Sequence, residues 1–248
     1  MRVKRWMWLW LCMIAPVAGV CGSEDGVWII EQDFIKFGKK EVFEKYKKEM
    51  LAKFTALSEQ PNVTYYGLEE LDSPQFLFLT PIQSFSGVET LMAKRDAFRK
   101  SFSDQGWKEE VNPYLSTLNF CITSAHQFLP LCSYSPKGKE AFEAYGYVQY
   151  FLYGITPGDG PAFEARLKQI AAAQQTAETP VCIRSWRVLF GSDVPKYIVA
   201  VFADSEDQAS DLADGLEIIN AEMKNILRSE RKGKAVMRKD LSILGSKS

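Results

Sequence analysis

The chain has 248 residues, with 30 Lys+Arg against 31 Asp+Glu and one histidine, a formal net charge of −1. A balance this close to neutral, with the two signs interspersed, carries no basic footprint for nucleic acid. One histidine with no CxxC and no HExxH leaves no ligand set for a structural zinc or a zinc hydrolase, so neither metal nor cofactor is expected.

Arg2, Lys4 and Arg5 precede an uncharged, mostly apolar run from Met7 to Val20. Small residues follow at Ala18, Gly19 and Gly22, then the polar Ser23-Glu24-Asp25. That order predicts a secretory signal over residues 1–22, too short for a comfortable membrane span and cut after Gly22 or Gly19. Acylation of Cys21 is disfavoured because Val20 stands where a small residue is expected. Cleavage removes three basic residues, leaving 27 Lys+Arg against 31 Asp+Glu, a net charge of −4. No later apolar run approaches the ~20 residues of a membrane helix, so the expectation is a soluble, secreted or periplasmic protein with no integral membrane segment.

A strand is predicted at Val27–Phe34, then a helix whose apolar residues fall at 43, 46, 50, 54 and 57, one stripe at helical spacing. Two strands follow, Val63–Leu68 and Phe76–Thr80. Ser86-x-x-Glu89 reads as a capping box opening a second helix. Gly106 and Pro113 break that region and predict a short helix around Trp107. A closing strand is expected near Ser116–His126.

The same order then recurs. A strand at Tyr147–Gly154 leads into a helix carrying Phe163, Leu167 and Ile170. Strands at Ile183–Phe190 and Tyr197–Phe202 flank the hairpin turn "GSDVP". Ser205-x-x-Gln208 is a second capping box, and Leu212, Leu216, Ile219, Met223 and Ile226 form a second helical stripe. A last strand is expected at Ala235–Leu241. At an offset of 120, Gly38 meets Gly158, Phe43 meets Phe163 and Tyr66 meets Trp186, while the capping boxes are offset by 119. Matches in one order at nearly one offset predict an internal duplication, each copy a βαββαβ ferredoxin-like unit. The expected division is 23–140 and 141–248.

"GITPGDGPAFEARLKQI" (154–170) has the strand–turn–helix layout of a phosphate loop. It lacks the Lys-Ser/Thr pair of a Walker loop and the GxGxxG of a dinucleotide fingerprint, and Pro161 suits a first helical turn. The reading is a structural corner. In "YVQYFLY" (147–153) both alternating faces are apolar apart from Gln149, which implies a sheet covered on both sides.

These segments resemble the dimeric α+β barrel superfamily, which includes NIPSNAP-like and antibiotic-biosynthesis-monooxygenase-like proteins. The resemblance rests on the βαββαβ order and on "YFLYGITPGDGPAFEARLKQI", with "SWRVLFGSDVPKYIVAVFADSEDQASDL", "FLPLCSYSP" and "MRKDLSIL". It is strongest to exported members with two fused repeats and no assigned activity. It implies an α+β fold in which two antiparallel sheets pack face to face as an intramolecular barrel, each last strand crossing to the other half's second strand. It further implies cofactor-free oxygenation, haem chemistry or plain ligand binding, with homo-oligomers as an open alternative. Haem-linked members need a suitably placed histidine; the one present, His126, falls at a strand end, where packing or surface is the commoner role. No Asn-Trp-His set of haem degraders is recognisable.

Of the remaining chemistry, a Ser-His-Asp triad has only His126 to use and no GxSxG. Glu69-Glu70 and Glu109-Glu110 read as solvated turns and helix faces. Asn62-Val63-Thr64 is a glycosylation sequon only in a host that glycosylates. Trp28, Tyr150, Arg184 and Trp186 lie on strands read as buried on both faces, and a buried arginine beside aromatics could orient an anionic or polar aromatic ligand. The alternative is that the aromatics are core and Arg184 reaches an edge. Three cysteines follow the leader: Cys121, Cys132 and Cys182. One disulfide with a spare thiol, or three buried thiols, are both consistent with an exported chain. The crossed-strand barrel implied by the resemblance favours Cys132–Cys182 over Cys121–Cys182. Three functions stand: binding of a small apolar or aromatic ligand or a partner in an inter-sheet cavity, a cofactor-independent monooxygenase-like enzyme, and an interaction protein with a filled barrel.

Overall fold

A computed structural model describes residues 26–57, 64–82, 84, 86–136, 144–190, 195–212 and 223–243. The leader, Asn62, Leu216 and Ile219 lie outside them. The strands are β1 (Val27–Ile35), β2 (Tyr66–Glu70), β3 (Gln75–Ile82), β4 (Leu118–Phe128), β5 (Tyr147–Ile155), β6 (Cys182–Val188), β7 (Lys196–Ala203) and β8 (Leu227–Met237). The helices are α1 (Lys40–Leu57), α2 (Ser86–Lys100), α3 (Asp104–Gly106), a π turn at Trp107–Val111, α4 (Asn112–Thr117) and α5 (Gly160–Ala177). Residues 206–212 are also helical.

The strands close into an antiparallel barrel in the order β1-β3-β2-β8-β5-β7-β6-β4. β4 pairs with β1 of its own half and crosses to β6; β8 pairs with β5 and crosses to β2. The architecture is α+β, with helices outside and the two halves' sheets facing each other within.

The halves share register as well as order. Glu31 lies between Phe78 and Thr123, and Phe151, 120 residues on, lies between Val199 and Lys232. Both ladders shift at the same place, Phe34/Ile35 and Gly154/Ile155. Gly38 and Gly158 both take a positive φ, +70° and +98°, at the turn into the first helix of each half, which favours glycine there. The turn at 154–160 is a corner. The Tyr66–Trp186 match is corrected by two residues. Tyr66 pairs with Leu79 and Arg184 pairs with Ala200, so Tyr66 corresponds to Arg184 and Leu68 to Trp186.

Strand alternation sorts the side chains into three cores. Trp28, Ile30, Leu77, Val148, Trp186 and Phe202 point inward and fill the barrel. Their neighbours in sequence point outward, where Ile35, Phe43, Phe76 and Phe78 pack beneath α1. Phe151, Tyr153, Phe163, Leu167 and Val199 pack beneath α5. This double burial accounts for the unbroken aromatic run of β5. At the capping box of 205–208, Gln208 N–H donates to Ser205 Oγ at 3.4 Å. β8 begins at Leu227 rather than Ala235, because its charged first half is held by backbone pairing to β5 while most of its side chains face water.

Candidate functional site

The expected inter-sheet site is filled. Trp28 and Trp186 meet edge to face with centroids 5.7 Å apart, and Phe128 touches both at 6.3 and 6.0 Å. Arg184 lies with its guanidinium 5.6 Å from the Phe128 centroid, close to the Cys182 thiol. Tyr150 stands apart from this group. Its ring covers Gly233 on the neighbouring strand and its hydroxyl donates to Glu70. A cavity of about 40 Å³ remains between the sheets, lined by Tyr150 and Trp186 among others. That is room for a water or two; Trp28 and Trp186 are part of the core, and Tyr150 and Arg184 are half-buried.

His126 is also inside, opposite Trp28, with Nε2 2.7 Å from Ser124 Oγ. Burial lowers its pKa to about 3, so the ring is neutral. A haem does not fit there, since the ring is 3% exposed and presents no open face to a macrocycle.

Cys132 and Cys182 form no disulfide; with Cys121 they are free thiols. The sheet itself separates them. Cys132 packs in the core beneath α5, its thiol 3.5 Å from the Glu164 carbonyl. Cys182 points into the barrel, 3.5 Å from Ser135 Oγ.

A buried polar cluster lies on the outer face of the first half. Glu31 and Asp33 project from β1 toward the helices, and α1 brings Lys47 over them. Lys47 Nζ is 3.2 Å from Asp33 Oδ2, 3.2 Å from Tyr114 Oη and 4.0 Å from Glu31 Oε1. It also sits 3.7 Å from the Phe78 ring centroid. Tyr114 Oη donates to Asp33 Oδ2 at 2.7 Å, and Arg95 from α2 donates to Glu31 at 2.8 Å. Asp33 is fully buried and Lys47 is 5% exposed. Burial alone would lower the Lys47 pKa, but Tyr114, Tyr65, Asp33 and Glu31 outweigh it and hold the ammonium well above its usual range. Burial raises the Tyr65 and Tyr114 hydroxyls and the Cys121 thiol.

Above this cluster a pocket of about 240 Å³ opens between the sheet and α1 and α2. Met50, Leu51, Phe54, Leu91, Phe98 and Ile243 give it apolar walls, and Glu31, Lys47, Arg95, Tyr65 and Thr80 complete the lining. It holds about eight waters' worth of liquid volume, or a one-ring organic molecule. Glu31, Asp33 and Cys121 bring ligand atoms within 4.8 Å of one another. Lys47 and Arg95 already supply the positive charge a metal ion would bring.

The second half holds no such cluster at these positions. Where Glu31, Asp33 and Lys47 stand in the first half, Phe151, Tyr153 and Leu167 stand 120 residues on, in the same register. The sequence carries a signal for it. Lys47 falls four residues after Phe43, on the apolar side of α1, and Asp33 falls on the face that β1 shares with Val27 and Ile29.

No protein-family model and no curated protein matches the sequence. Among solved structures, the chain is similar to a putative monooxygenase from Lactobacillus acidophilus NCFM, with a TM-score of 0.60 and 10% identity over 89% of this chain and 97% of that one. It is also similar to an anthrone oxidase-like protein, at 0.58 and 10% over 88% and 94%. A third is a heme-binding protein from Thermus thermophilus, at 0.55 and 12% over 87% and 92%. At such identities the likeness is one of fold, the ferredoxin-like α+β barrel.

Proposed function

We propose that this is an exported small-molecule-binding protein whose site is the pocket between the first half's sheet and its helices. The observation that carries the reading is a pocket of about 240 Å³ lined by Lys47, which is paired with the buried Asp33, at positions where the other half is apolar. A buried pair of this kind rarely adds stability over an apolar replacement, so its presence in one half points to use. The ligand class is a small, mostly apolar molecule, of about one ring, with a single polar group that meets Glu31 and Arg95 at the pocket wall. Internal duplication of a ferredoxin-like unit, followed by divergence of one copy's helix-facing layer, accounts for the shared register.

Binding is preferred to cofactor-independent oxygenation, one form of the monooxygenase activity that the name of the Lactobacillus acidophilus protein carries. Such a reaction needs a base at the substrate, and here each carboxylate at the pocket is already engaged by a cation. Export rests on the order of residues 1–22 and predicts a mature N-terminus at Ser23 or Val20, which N-terminal sequencing reads directly.

The binding test is native mass spectrometry of protein purified from its own host, beside a Leu51→Trp variant that fills the pocket. A retained molecule lost in the variant supports the reading. A ligand retained equally by both, or none retained and none found by thermal-shift screening, overturns it.

A further inference from the structure

β4 overhangs the strand it crosses to. It pairs with β6 only from His126 to Phe128, with Leu189 N–H still donating to Ala125 O at 2.9 Å. Its other edge is paired to β1 along its length. From 118 to 124, no described strand lies against the β6-side edge. β8 is built alike, pairing with β2 only from Ala235 to Met237.

The two overhangs differ in chemistry. That of β8 reads "LRSERKGK" and carries Arg228, Glu230, Arg231, Lys232 and Lys234, charges of the kind that keep strand edges from pairing with other chains. That of β4 reads "LNFCITS" and carries none. Phe120 and Ile122 on it are 52% and 46% exposed, and Phe120 stacks on Phe34 with centroids 4.2 Å apart. Among the described residues, one edge is guarded and the other is open and apolar.

We propose that the β4 overhang is a homodimer interface, pairing antiparallel with the same segment of a second copy. An edge of backbone amides and carbonyls takes a strand, and an identical edge turned about a two-fold axis is its own complement. No like charges oppose each other there, whereas β8 against β8 would set basic residues face to face. The register follows from the ladder. Asn119 is the extra residue where the β1–β4 register shifts, and the Ala125 carbonyl is taken by Leu189, so the regular open stretch is 120–124. Its centre is Ile122. Odd-numbered residues face this edge, as Ala125 does, so Cys121 exchanges hydrogen bonds with Thr123 of the second copy. The two Ile122 side chains meet in the close, non-hydrogen-bonded position.

Sedimentation analysis of the mature chain tests this. A dimer is expected, and Ile122→Lys should raise its dissociation constant at least about tenfold while leaving thermal unfolding of the monomer unchanged. In a Cys121→Ser background, Ile122→Cys should give a covalent dimer on oxidation, whereas Lys232→Cys on the β8 overhang should not. A monomer at the highest soluble concentration overturns the proposal. So does a dimer that Ile122→Lys leaves intact and Ile122→Cys fails to trap.

Discussion

Asp33 and Tyr153 hold one position in two strands of identical register: Asp33 lies opposite Phe76 and Cys121, Tyr153 opposite Tyr197 and Glu230. The first buries a carboxylate beneath the Lys47 ammonium. The second buries a ring that packs on Phe163 with centroids 5.3 Å apart. The architecture therefore accepts an apolar residue here, and the ion pair is an addition to it.

Removing one partner should be costly and removing both should not. Lys47→Met leaves the buried Asp33 carboxylate without its cation and should lower stability by ~3–5 kcal/mol. Asp33→Leu combined with Lys47→Met should recover most of that loss. Urea unfolding measures both. A double variant no more stable than the single would show that the pair is needed for packing.

The filled barrel interior gives a second prediction. Trp186 is 1% exposed and contacts Trp28 and Phe128, so Trp186→Ala should cost ~3–5 kcal/mol and leave a cavity. Added indole should raise the variant's melting temperature and leave the wild type unaffected. Indole binding to the wild type would mean that the interior already admits ligands.

His126 sets an acid limit. Burial lowers its pKa from 6.5 to about 3, so between those values the unfolded chain binds a proton that the folded chain does not. Stability must then fall as pH falls through that window, by ~2 kcal/mol at pH 5 from this one group. His126→Gln should flatten this part of the profile relative to wild type between pH 7 and 5. Parallel profiles would show that the ring is protonated in the folded protein.

The cysteines should behave as three protected thiols. Burial raises Cys121, Cys132 (up to about 11) and Cys182, so each should react with a disulfide reagent at pH 8 far more slowly than a free cysteine. After denaturation a chain beginning at Ser23 should titrate three thiols. A count of one would restore a disulfide.

Element order is legible in the sequence because strand alternation and helical stripes are local signals that recur in both halves, whereas barrel closure comes from the family resemblance. The site is less legible. Trp28, Arg184 and Trp186 do lie between the sheets, but whether facing aromatics leave a cavity depends on how the rings interlock, which spacing does not encode. Lys47 is easily passed over because a single charge beside Tyr46 and Met50 looks like the rim of a stripe. Only the fold shows it aimed at Asp33. The Cys132–Cys182 pairing fails because it weighs nearness along crossing strands and not which side of the sheet each thiol faces.

The crossed strands also govern the order in which the molecule can be assembled. β2 completes its ladder on β8, and Arg238, just beyond β8, clamps Glu69 and Glu44, groups 169 and 194 residues back along the chain. While the polypeptide is being made, β2 has no partner on that side until β8 has emerged. Contacts of such sequence separation make for slow folding, and they leave the first half open in the meantime. For export of the kind proposed from residues 1–22 this delay is an advantage, since it keeps the polypeptide threadable through a translocation pore and defers closure until both halves have crossed.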